Sequence, residues 1–92
     1  MVRYQWDPDK ARLNKSKHGV DFSDAVGVFG DEMALTKEDP DAEGEQRFIT
    51  LGMDSLGRLL VVVFTCRGED IIRLIMARKA THKEEKEYAK RI

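Results

Sequence analysis

Ninety-two residues, 41% of them hydrophobic and 36% charged, suffice for one domain, residues 1–92, because a chain this short buries only about 60% of its unfolded surface and has no material for a second core. A lone cysteine, Cys66, excludes an internal disulfide and any thiolate metal cluster, and no apolar run approaches the roughly 18 residues of a membrane span or the core of a secretory leader, which predicts a cytoplasmic protein. The formal net charge of −1 argues against an indiscriminate nucleic-acid binder, yet it hides a segregation: +3 over residues 1–20, −8 over 21–45, zero over 46–70 and +4 over 71–92.

Val2 to Trp6 is rich in β-formers and runs into Asp7-Pro8, an N-cap followed by proline at the first helical position. The spacing predicts a helix from Pro8 to His18, stopped by Gly19. Asp21 or Ser23 then caps a second helix, whose apolar face is Phe22, Ala25, Val26 and Phe29, closed by Gly30-Asp31. Met33 to Lys37 reads as a short edge strand, and the acidic stretch Glu38 to Glu45 as an exposed loop.

From Gln46 the pattern changes to β. Arg47 to Met53, Arg58 to Cys66 and Asp70 to Arg78, separated by Asp54-Ser55-Leu56-Gly57 and Arg67-Gly68-Glu69, form an antiparallel meander. Leu59 to Phe64 is apolar on both faces, so this strand belongs in the middle of the sheet with material against each side. Cys66, at its end, is expected to be a small buried hydrophobe. Thr81-x-x-Glu84 is a capping box that opens a last helix to about Arg91. The fold class is therefore α+β: a small antiparallel meander with two N-terminal helices and one C-terminal helix.

Three sets of residues are candidates for chemistry. Lys10, Asn14, Lys17 and His18 lie on one stripe of the first helix, with His18 at the C-terminal end where the helix dipole favours imidazolium. Their alternative is a solvated surface with a capping histidine. The second set is the arginines of the sheet, Arg47, Arg67, Arg73 and Arg78, with Lys79; an arginine among apolar strand residues pairs with a carboxylate, spans an open face or meets a phosphate. Strand parity separates Arg73 from Arg78 unless a bulge intervenes. The third is Tyr88 on the last helix, a core anchor or a stacking surface for a base; Glu84 is explained by its cap. If the two basic ends meet across the sheet, Lys10, Lys17, Arg73 and Arg78 share one cleft.

The segments Tyr4-x-Trp6-Asp7-Pro8, Asn14-x-x-Lys17-His18-Gly19-Val20-x-Phe22, Gly44-Glu45-x-Arg47 and Ile75-x-Ala77-Arg78-Lys79-Ala80-Thr81 occur in an order that resembles the BrnT family. The resemblance runs from residue 4 to residue 88 and implies a RelE-like fold. It also implies a metal-independent, cofactor-free endoribonuclease, the toxin of a type II toxin-antitoxin system. Its partner would be a BrnA-type antitoxin, a DNA-binding ribbon-helix-helix protein expected to form a hetero-oligomeric complex with the toxin that represses its own operator. One departure is Met76, where family members commonly have serine.

On this reading RNA is cut by attack of the 2′-hydroxyl on the adjacent phosphate, which requires positioning, charge neutralisation and a proton carrier. His18 is the proton carrier, with Lys17, Arg67, Arg73 and Arg78 in the catalytic set and Lys10, Asn14, Arg47, Lys79 and Tyr88 on the substrate. The rival classes are a binding module that docks protein or nucleic acid without cutting, and a degenerate toxin kept for its antitoxin contact, which Met76 makes worth testing.

Overall fold

A computed structural model describes residues 1–91 of the chain. β1 (Arg3–Gln5) leads directly into α1 (Pro8–His18). The Asp7 carboxylate accepts from the backbone N–H of Asp9 at 2.8 Å and of Lys10 at 3.4 Å, Pro8 occupies the first turn, and Gly19 ends the helix at φ 72°. α1 is polar nearly all round and buries only Asn14. Such a helix lacks the apolar stripe that ordinarily glues helix to core, so something else must hold it.

The second helix is shorter than its apolar spacing suggests. α2 covers only Phe22–Ala25, and the chain then tightens into a 3-10 turn over Val26–Gly30. Close approach explains the change, because a Cβ on Gly27 would lie 2.5 Å from the backbone nitrogen of Ser55. The turn after β3 therefore presses on the segment where a regular helix would continue. Asp21 occupies the cap position without a side-chain cap bond; its carboxylate instead receives Lys15 Nζ at 2.9 Å.

β2 (Leu35–Glu38), β3 (Phe48–Met53), β4 (Leu59–Arg67) and β5 (Ile71–Lys79) complete a five-stranded sheet in the order β1-β5-β4-β3-β2. The meander is present with β2 added antiparallel at one edge, but β1 pairs parallel with β5, Arg3 with Ile71 through Gln5 with Arg73, so the sheet is only mostly antiparallel. β4 lies in the middle, as its doubly apolar sequence requires, and Leu60, Val61 and Val62 are all buried. Its two faces serve two cores. Leu60 and Val62 join Val20, Phe22, Ala25, Val28, Leu74 and Ala77 under the N-terminal helices, with Trp6 and Ala11 packed alongside. Val61 joins Leu51 and Tyr88 beneath α3 (His82–Ala89). Cys66 is exposed at the far end of β4, not buried, because the core stops at Thr65.

α3 begins at the capping box read from the sequence: Thr81 Oγ1 accepts from Glu84 N–H at 3.2 Å, and Glu84 accepts from Thr81 N–H at 2.8 Å. Of its side chains only Tyr88 is buried, and the phenol donates to Asp31 at 2.7 Å. Asp31 also accepts from the backbone N–H of Met53 and Met33. Burial works against the Asp31 charge, but these three hydrogen bonds outweigh it and hold the carboxyl below its usual range. The same bond, followed by burial, pushes the Tyr88 phenol up.

Candidate active site

Asn14 supplies the hold that α1 lacks. β1 pairs with β5 only as far as Arg73, so the outer edge of β5 beyond that point has no neighbouring strand. Asn14 stands in for one: its Nδ2 donates to Ala77 O at 2.8 Å and to Val20 O at 3.0 Å, and its Oδ1 accepts from Ala77 N–H at 3.1 Å. At 6% exposed, with both amide N–H donors and one Oδ1 lone pair committed to backbone, this side chain is turned inward to the fold and has no donor left for a substrate. The sequence-based role for Asn14 as a substrate ligand is thereby corrected; it is the clamp that sets α1 on β5.

Clamping α1 there opens a shallow groove of about 220 Å³, lined by Lys10, Leu13, Asn14, Lys17 and His18 of the helix and by Ile75 and Met76 of β5. The helical stripe expected from the spacing is thus real. Lys15 and Arg12, on the neighbouring face, pair with Asp21 and Asp9. Among the described residues, no carboxylate forms an ion pair with Lys10, Lys17 or His18, and their side chains make no hydrogen bond. Lys10 and Lys17 are exposed, and His18 is half-buried on the last turn, beside Gly19.

The arginines of the sheet lie elsewhere. Pairing along β4 and β5 slips between Val63/Phe64, so that Val63 faces Met76 while Phe64 faces Leu74, and Ile75 has no partner across the ladder. This is the bulge that parity demanded. It sets Arg73, opposite Thr65, and Arg78, opposite Val61, on the face that α3 partly covers. α1 packs against the other face, through Ala11. The groove of Lys10, Lys17 and His18 is lined on the β5 side by Ile75 and Met76 and not by Arg73 or Arg78, although Met76, opposite Val63, lies on the same face of β5 as both arginines.

Arg78 is engaged by the fold. Its guanidinium grips Glu84 through both nitrogens, at 2.8 and 2.9 Å, and one of them also donates to Lys79 O at 3.2 Å. The bidentate bond from Arg78, against the opposing effect of burial, brings the Glu84 carboxyl down from 4.5 to about 2, with the Thr81 N–H adding to the fall. Arg73 is half-buried and donates to Gln5 Oε1 at 3.1 Å, its neighbour across the parallel pair. Arg67 is exposed, 3.7 Å from Glu45. Arg47 is half-buried just before β3, with its Nε enclosed and unbonded, and Lys79 is exposed at the end of β5. Tyr88 is 8% exposed and its hydroxyl is taken, so it cannot serve as a stacking surface; burial under α3 overturns that role. Leu13 and Ile75 were missed. The signal for Leu13 was available, since it lies three residues after Lys10 and four before Lys17, inside the cationic stripe.

Among the described residues no three His, Cys, Asp or Glu side chains gather so as to hold a metal ion, and no helix is long and apolar enough to cross a membrane. The family model for the ribonuclease toxin BrnT of type II toxin-antitoxin systems matches residues 6–84. Among solved structures, the crystal structure of the Brucella abortus ribonuclease toxin BrnT is similar, with a TM-score of 0.67 and 24% identity over 89% of this chain and 100% of that one. At that identity the likeness concerns the fold. No curated protein matches the chain.

Proposed function

The chain belongs to the BrnT family of ribonuclease toxins of type II toxin-antitoxin systems, and from that premise we propose that it cleaves RNA at the groove between α1 and β5 by a metal-independent route. The observation that carries this reading is the gathering of Lys10, Lys17 and His18 in one open groove with no acidic partner among the described residues. Cations left unpaired beside a histidine are what cleavage by 2′-hydroxyl attack uses. His18 takes the 2′-hydroxyl proton as oxygen attacks phosphorus, and returns a proton to the departing 5′-oxygen as the P–O5′ bond breaks, leaving a 2′,3′-cyclic phosphate. Lys10 and Lys17 balance the charge that builds on the phosphorane. Arg73, Arg67, Arg47 and Lys79 guide the strand beyond the groove, and Arg78, engaged with Glu84, keeps the end of β5 in order.

The fold is RelE-like on this reading. The protein acts in the cytoplasm to stop growth until a BrnA-type antitoxin, with its ribbon-helix-helix DNA-binding part, captures it in a hetero-oligomer that represses the operator. The test is cleavage of total RNA by purified protein with and without EDTA. Activity should persist in chelator; complete loss, restored by added metal, removes the metal-independent route. Absence of cleavage with or without metal, together with an intact antitoxin complex, would favour the non-catalytic alternative.

A further inference from the structure

Leu13 is 70% exposed, an apolar side chain that the core does not use. A solitary exposed leucine means little, but this one shares a groove with Ile75 and Met76, both half-buried. Ile75 is the unpaired residue of the β5 bulge, and bulges re-aim side chains at strand edges. The groove thus has an apolar floor of three residues between the cations Lys10, Lys17 and His18. Asn14, the one amide in it, is consumed by Val20 and Ala77.

We infer that Leu13, Ile75 and Met76 form a nucleobase subsite, on which one base of a single-stranded RNA lies flat while the adjoining phosphates meet Lys10 and Lys17. The inference rests on the proposed ribonuclease reading of the same groove. Apolar side chains hold an extruded base by contact area, and these three bring no side-chain donor or acceptor to read its edge. The subsite therefore discriminates by size: a purine covers more of the floor than a pyrimidine and binds more tightly. Met76 contributes through area, which a hydroxyl residue at this position would forgo.

The test compares binding of two uncleavable probes, 2′-O-methyl oligoadenylate and 2′-O-methyl oligouridylate, and cleavage of the matching RNAs, by the full chain and by Leu13→Ser and Met76→Ser. The wild type should bind the adenylate several-fold more tightly. Leu13→Ser should weaken adenylate binding about tenfold, erase the purine preference and leave the melting temperature unchanged, since Leu13 packs against no core residue; Met76→Ser should do the same more weakly. Equal binding of both probes by all three proteins overturns the subsite. A loss of antitoxin affinity in Leu13→Ser with unchanged probe binding also overturns it and makes the floor a protein contact. If the wild type cuts no RNA while the probe preference follows Leu13, the subsite stands and the ribonuclease reading falls.

Discussion

The two basic ends of the chain carry similar charge and meet different fates. At the N-terminal end, Lys10, Lys17 and His18 share a groove with no carboxylate among the described residues to answer them; at the C-terminal end, Arg78 is gripped by Glu84 through two hydrogen bonds. The difference teaches that a cation's role follows from its neighbours and not from its place in a charge pattern. A paired arginine has committed most of its donors to the fold. An unpaired lysine or histidine beside a clamped helix has its capacity in hand for a ligand.

Substituting His18 is the strongest way to sharpen this contrast. His18→Ala should lower kcat/KM for RNA by about 10² to 10⁴, the span usual for a positioned acid-base group, while stability moves by no more than about 0.5 kcal/mol. Single-turnover cleavage assays and urea unfolding of the same preparation check both halves. Unaltered cleavage would move the proton carrier out of the groove.

Next comes the clamp, which makes the groove possible. Asn14→Leu removes three hydrogen bonds and leaves the N–H and C=O of Ala77 buried without partners. The expected cost is about 2 to 4 kcal/mol, read from the midpoint of urea unfolding. A loss within about 0.5 kcal/mol would show that α1 is held by other means.

The paired end should respond through stability and through pH. The Glu84 carboxyl, brought from 4.5 to about 2, ionises more readily in the fold than in the unfolded chain. Its contribution is therefore complete above about pH 4.5 and is lost as pH falls towards 2. Glu84→Gln should cost about 1 kcal/mol at neutral pH, the upper end of what surface pairs contribute, since this pair is only partly exposed, and should flatten the stability profile across that acidic window. An undiminished acid slope in the variant would assign the pH dependence to another carboxyl.

The smallest effect is expected in the acidic loop between β2 and β3. Neutralising Glu38, Asp39, Asp41 and Glu43 together should leave unfolding within about 0.5 kcal/mol, and it should weaken antitoxin binding if the loop offers the partner a surface opposite in sign to the groove. An unchanged dissociation constant with unchanged salt dependence would leave these residues as solvated surface.

What was legible beforehand divides by range. Asp7-Pro8, Gly19 and Thr81-x-x-Glu84 act through bonds a few residues long, so α1 and α3 could be bounded from sequence to within about two residues. The central position of β4 followed from its doubly apolar run. The parallel pairing of β1, the pressure of Ser55 on Gly27 and the bond between Asn14 and Ala77 depend on residues distant in the chain, and no local pattern encodes them. The site shows the same division. The stripe of Lys10, Lys17 and His18 was visible as helical spacing, whereas parity showed that Arg73 and Arg78 needed a bulge without locating it at Ile75.

The Asn14 clamp also fixes an order of events. It ties a residue of the first helix to one 63 positions later, and the floor of the groove comes from the same late strand. A growing chain that has not yet reached Ala77 has the cations but neither the surface they frame nor the backbone that orients them. The groove proposed for cleavage is therefore incomplete in every nascent chain that stops short of β5, and the topology itself delays its assembly until the last strand is made.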